Sequence, residues 1–266
     1  MKRPFWRLAA AALVSMAFAV SLGSTSATGA ALPDNYVALG DSYSSGVGTS
    51  SYTLDASCKR STYAYPYLLA QQRANTSLNF VACAGATTDD VINNQISALN
   101  SSTTIITISV GGNDLGFGDL VSDCVQSNCN ATLTSTRASA DATLTPKLNA
   151  VYAAIKSRIG PSAKVVVLGY PRLFSSAFCF GTFGVTASER SNGNLLSDEI
   201  DRITALRTAA YGFTYESAIA AFTGHAVCSN SAWVNGLNIL NSAESFHPTR
   251  SGHSAGYLPL VRQVVG

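Results

Sequence analysis

Charge is scarce in this chain. Only 12% of its 266 residues are Asp, Glu, Lys or Arg. No basic stripe stands out, so the electrostatic footprint of a nucleic-acid binder is missing and no nucleic-acid partner is expected. Histidine is scarcer still, with His225, His247 and His253 alone. They are scattered and no C-x₂-C pair accompanies them, so the donor sets of structural zinc sites are lacking. Neither a metal nor another cofactor is expected. After Leu22 no apolar run approaches the roughly 20 residues of a membrane span. There is no repeat, no linker and no strand-turn-strand hairpin signal, which argues against an antiparallel or multi-domain plan.

The first thirty residues read as an address. Lys2, Arg3 and Arg7 form a positive head, Leu8–Leu22 is a short apolar run, and small residues follow at Thr25–Ala27 and Thr28–Ala30. That is the layout of a secretory signal peptide over residues 1–30, cut between about 27 and 31. It predicts a secreted chain with no transmembrane segment after cleavage. Residues 31–266 then form a single domain of about 236 residues, enough for one large core, with a monomer as the expected state. Losing the leader takes the formal net charge from +2 to −1. Six cysteines remain: Cys58, Cys83, Cys124, Cys129, Cys179 and Cys228. An even count in an exported chain reads as three disulfides. Six cysteines allow 15 pairings, of which the simplest is sequential: Cys58–Cys83, Cys124–Cys129 and Cys179–Cys228.

The rest is organised around Tyr36–Gly46, YVALGDSYSSG. Tyr36–Leu39 is a buried-strand run, Gly40 and Asp41 break it, and Ser42 stands just past its end. Further strands are expected at Leu78–Ala82, at Thr103–Val110 and at Lys164–Leu168. Helices are expected at about Tyr65–Arg73, Thr87–Leu99 (with Thr88 as a cap), Leu133–Ile159, Ala187–Tyr211 and Thr249–Val264. Pro146 should kink or split the third of these, and Pro259 is awkward in the last. The segment holding Gly116, Gly118 and Cys124/Cys129 reads as a loop, and Tyr215–Phe222 is ambiguous. Alternation of strand and helix predicts a parallel sheet with helices on both faces.

In such a sheet, Ser42, Gly85 and Asn113 follow three successive strands and face one carboxyl edge. A serine there needs a base for its proton, and its reaction needs donors for the oxyanion. The backbone N–H groups of Ser42 and Gly85 and the amide of Asn113 could serve. Singly, Gly85 reads as a helix-entry turn and Asn113 as a cap. The best candidate base is His247, in Ser245-Phe246-His247-Pro248, where proline stiffens the loop. Gly252–Gly256 fits G-x-S-x-G, but no strand precedes it. That motif also needs an acid and then a histidine downstream, and the ten residues that follow contain neither. Ser254 is therefore a decoy.

These positions resemble the SGNH, or GDSL-type, hydrolases. Gly40-Asp41-Ser42 looks like the first block, Gly85 the second, Gly111-Gly112-Asn113-Asp114 the third and His247 the last. With the leader and three cysteine pairs, the pattern is most similar to secreted bacterial lipases, esterases and phospholipases A. The resemblance implies a three-layer α/β/α fold. It also implies hydrolysis of carboxylic esters of lipids, met at a lipid–water interface, through Ser42, His247 and an oxyanion hole of Ser42, Gly85 and Asn113. The family's last block usually has Asp where this chain has Glu244. Either Glu244 orients His247, or the Ser245 carbonyl does so while Glu244 faces solvent. Within enzymes the alternative is a carbohydrate O-deacetylase or short-chain esterase. Outside them it is a non-catalytic binding protein.

Overall fold

Five short strands run the same way through one sheet: β1 (Asp34–Ala38), β2 (Thr76–Phe80), β3 (Ile105–Ile108), β4 (Lys164–Leu168) and β5 (Thr214–Glu216). The computed structural model describes Met1 and residues 33–266. The leader expected over residues 1–30, with its cleavage site, lies outside the described residues. Pro33–Gly266 forms one compact unit, and no helix among the described residues is long and apolar enough to cross a membrane.

The strand order is β2-β1-β3-β4-β5. Tyr36 of β1 sits opposite Leu78 of β2 and Ile105 of β3, and Ile106 of β3 opposite Val165 of β4. All four residues of β3 and the last four of β4 are buried, so both faces of the sheet are covered. The helices form two groups: α2 (Tyr65–Gln72) packs on α8 (Leu258–Val265), while α5 (Asn130–Arg158) packs along α6 (Ala187–Ala210) and on the short α3 (Thr88–Asp90). One group per face gives the expected α/β/α layering. The chain leaves β1 for the edge strand β2, then crosses back to β3 and continues outward. The connections therefore diverge between β1 and β3, and a crevice opens beyond their carboxyl ends.

Several elements depart from the sequence reading. The expected loop after Gly116 holds a helix, α4 (Phe117–Gln126), which buries Leu120, Val121 and Cys124. Thr87, not Thr88, caps α3, and Thr88 instead donates its hydroxyl to Asp114 at 2.7 Å. α5 runs on through Pro146, neither split nor stopped. It buries Leu144, Leu148 and Val151 around the proline, so packing outweighs the one lost backbone bond. Pro259 stands in the first turn of α8, where a missing N–H is tolerated. Part of the ambiguous 215–222 stretch is β5, and a short helix, α7 (Ala218–Ala221), follows it. The cysteines join in the sequential pairs Cys58–Cys83, Cys124–Cys129 and Cys179–Cys228.

Candidate active site

The turn that carries Ser42 is fixed by its neighbours before any chemistry is considered. Gly40 has φ +119°, and a Cβ there would come within 2.4 Å of the Ser109 carbonyl oxygen, so only glycine fits. Gln95 grips the same residue from the side, accepting its N–H at 2.7 Å and donating to its carbonyl at 2.9 Å. Asp41 then caps the single helical turn α1 (Ser42–Ser45), accepting from the Tyr43 N–H at 3.0 Å. Ser42 is the first residue of that turn and its side chain borders a cleft beyond the sheet edge.

His247 meets it from the loop before the last helix. Its Nε2 lies 2.8 Å from Ser42 Oγ, and its Nδ1 lies 2.9 Å from the Ser245 carbonyl oxygen. A carbonyl can only accept, so the ring hydrogen sits on Nδ1 and Nε2 offers a lone pair to the serine hydroxyl. The intervening Phe246 makes this possible. Its φ of +60° turns the chain back on itself, so that the carbonyl of residue 245 faces the ring of residue 247. Such a conformation costs on the order of 1–3 kcal/mol for a non-glycine residue. Three contacts hold it: Phe246 N–H donates to the Asn235 carbonyl at 3.0 Å, Tyr43 Oη–H donates to the Phe246 carbonyl at 2.7 Å, and the ring packs edge-on against Phe174.

Glu244 is placed differently from the solvent-facing alternative. It is buried, and its two oxygens accept hydrogen bonds from Ser50 Oγ and Tyr52 Oη, each at 2.6 Å. No hydrogen bond links its carboxylate to the His247 ring; the two residues meet only through the His247 N–H and the Glu244 backbone carbonyl, 3.4 Å apart. Its charge is still felt there. Burial pushes the His247 imidazole down to about 4, while the Ser245 carbonyl and, less strongly, Glu244 pull it back up. Glu244 also ties the histidine loop to the 50–52 segment.

The segments that carry the other expected donors are tied to the serine turn and to each other. The Cys83 N–H binds the Gly40 carbonyl at 3.0 Å, which brings the Gly85 turn beside the serine turn. Asn113 Nδ2 donates to the Ala86 carbonyl at 3.0 Å, leaving its second amide hydrogen uncommitted. The backbone N–H groups of Ser42 and Gly85 have no acceptor among the described residues. Gly85 is at φ +81°, and nothing lies within 4 Å of where its Cβ would be.

Sequence reasoning passed over two groups beneath the serine. Asp41 is buried and takes hydrogen bonds from Ser109 Oγ at 3.0 Å and from Tyr170 Oη. Burial raises its carboxyl to about 6, against the pull of those donors. Tyr170 also accepts the Gly112 N–H at 3.2 Å, linking the ends of β1, β3 and β4. Its place just past β4 repeated the strand-end pattern and was the available signal. Ser254 lies exposed in the helical segment Gly252–Tyr257 that leads into α8, and neither of its flanking glycines borders the cleft.

The cleft has a volume of about 410 Å³. From Ser42 and His247 it runs between Phe117, Val121 and Val125 of α4 and Leu173, Ile200 and Leu237. Its walls suit a hydrocarbon chain.

Comparison with known proteins follows the same lines. The profile of the GDSL-like Lipase/Acylhydrolase family matches residues 38–255. Lipase 1 of Streptomyces coelicolor is 44% identical over 257 residues, 94% of each chain. The crystal structure of an extracellular lipase from Streptomyces rimosus superposes with a TM-score of 0.82 at 42% identity, covering 87% of this chain and all of that one. A phospholipase A1 from Streptomyces albidoflavus gives 0.83 at 40% identity, covering 88% and 100%.

Proposed function

The chain belongs to the GDSL-like lipase/acylhydrolase family and is a carboxylic ester hydrolase, and on that footing we propose that it cleaves lipid esters by a serine–histidine acyl-enzyme mechanism. One observation carries the mechanism: Ser42 Oγ lies 2.8 Å from His247 Nε2, on a ring whose Nδ1 is held by the Ser245 carbonyl.

His247 takes the Ser42 proton as the oxygen attacks the ester carbonyl. The N–H groups of Ser42 and Gly85 and the amide of Asn113 receive the oxyanion. His247 then protonates the leaving alcohol, and water repeats the sequence on the acyl-enzyme to release the acid. In this reading Asp41 and Tyr170 hold the serine turn, and Glu244 anchors the histidine loop. The apolar cleft favours a long acyl chain over the acetyl group of a carbohydrate deacetylase. The named relatives include both lipases and a phospholipase A1, so neutral glycerides and phospholipids are the substrates to try first. Export fits the three disulfides and the extracellular S. rimosus relative.

The test is covalent labelling by a fluorophosphonate together with turnover of a p-nitrophenyl ester series. Ser42→Ala should lose both while keeping its melting temperature, because little volume is removed. Ser254→Ala should keep both. Near-normal turnover in folded Ser42→Ala would sink the assignment.

A further inference from the structure

Two loops at the mouth of the cleft expose an apolar surface that the reaction itself does not use. Among the described residues, ten large apolar side chains are exposed. Five of them are Phe178, Phe180, Phe183, Ile239 and Leu240, and they include every exposed phenylalanine. They come from segments 178–183 and 237–240, far apart in sequence but joined in space. Leu237 N–H donates to the Gly181 carbonyl at 2.8 Å, and Gly181 and Gly236 pack backbone to backbone. The Phe180 and Phe183 rings stack 6.0 Å apart. Cys179–Cys228 fastens the first segment, and Gly184 packs against the Val125 carbonyl on α4. The patch is continuous with the cleft, since Val125 and Leu237 line the cleft and Asn238 N–H binds Ser245 Oγ at 2.9 Å beside the histidine.

Three phenylalanine rings 59–69% exposed leave about 400 Å² of apolar surface between them. The largest patch on a typical monomer is roughly 300–600 Å² and is often functional, and Ile239 and Leu240 enlarge this one further. The second observation is charge. Leu173–Ser188 and Ala226–Ala243 contain no Asp, Glu, Lys or Arg. An anionic surface is met by cationic side chains; these two segments supply none, and the exposed charges of the adjoining α4, Asp119 and Asp123, are acidic.

We propose that this rim is the docking surface for a neutral or zwitterionic lipid layer, into which the phenylalanines and Ile239/Leu240 insert so that the cleft opens directly onto the acyl chains. The proposal rests on the lipid-ester reading above and adds the face by which the enzyme meets its substrate. Cys179–Cys228 and the Leu237–Gly181 backbone bond hold the two segments in place for insertion.

Phosphatidylcholine vesicles provide the test, with Ser42→Ala as the inert background for co-sedimentation. The inert chain should bind. The triple change Phe178→Ser/Phe180→Ser/Phe183→Ser should lower partitioning at least about tenfold, because binding follows inserted apolar area. In the active background it should leave turnover of a dissolved short-chain ester within about twofold, a check on folding that draws on residues outside the machinery. Ile239→Ser/Leu240→Ser, on the other loop, should weaken binding independently. Added salt should leave binding unchanged. No binding by the inert chain, undiminished binding by both variants, or binding that requires anionic lipid overturns the proposal. So does a wild-type dimer that these changes dissociate, since a second copy would then cover the patch. Failure of the hydrolase reading would show separately, as absent turnover of the dissolved ester by wild type.

Discussion

Replacing Glu244 by Gln removes a charge while keeping the side chain's shape, so it asks how much His247 depends on a carboxylate. Glu244 makes hydrogen bonds to Ser50 and Tyr52 and none to the imidazole. What His247 loses in the variant is only a through-space attraction on the imidazolium that forms as Ser42 is deprotonated. A carboxylate beyond hydrogen-bond contact contributes about 0.5–2 kcal/mol at effective dielectric constants of 20–80. That is roughly two- to thirtyfold in kcat, whereas loss of a carboxylate bonded to Nδ1 costs about ten-thousandfold. The tautomer should survive, because the Ser245 carbonyl still accepts the Nδ1 hydrogen. Glu244 holds the imidazole up against burial, so its neutralisation should also move the acid limb of kcat/KM to lower pH. The assay is a kcat and kcat/KM profile on a soluble ester, with a thermal melt as control for the loss of two charge-assisted bonds. A thousandfold fall in kcat in a stably folded variant would refute the reasoning and make Glu244 the histidine's direct partner.

Other expectations follow from the same geometry. Asn113→Ala should lower kcat by roughly 10²–10³ with little change in KM, as for one oxyanion donor; an effect confined to KM would mean that Asn113 only binds substrate. With His247 brought down to about 4 by burial, wild-type kcat/KM should hold through pH 5 and fall near pH 4. An acid limb near the ordinary histidine value of about 6.5 would contradict this. His253 is fully buried beside Tyr65 and brought down to about 3, chiefly by burial. The unfolded chain takes up that proton below about 6.5 and the folded one does not, so His253 withdraws stability as pH falls from 6.5 towards 3. His253→Gln should therefore lose less melting temperature than wild type between neutral pH and pH 4, and identical slopes would remove His253 from the account.

The sheet and its serine turn were legible because local pattern and tertiary context agree there. The apolar runs of β1, β3 and β4 end abruptly in glycine, and the carboxyl-edge rule brings Ser42, Gly85 and Asn113 to one place. Helix α4 was missed because Gly116 and Gly118 punctuate its start, although Leu120, Val121 and Cys124 carry helical spacing. β5 is three residues long with an exposed first member, too short for any period to register. At Pro146 the sequence left a kink or a split open; that α5 continues through it rests on contacts with α6 that lie far away in the chain. The environment of Glu244 was out of reach altogether: its partners lie more than 190 residues away in the chain, and nothing near it names them.

A peptide carbonyl steadies His247, and every amino acid at position 245 would supply one. The third member of this site is therefore beyond the reach of the genetic code. No codon change at 245 deletes the acceptor, and a side-chain scan that found Ser42, His247 and Asn113 would pass over it. Vulnerability passes from the identity of residue 245 to the path of the chain around Phe246. Heritable damage here should take the form of misdirection, through changes at Phe246, Phe174 or Tyr43 that let the turn relax and swing the oxygen away.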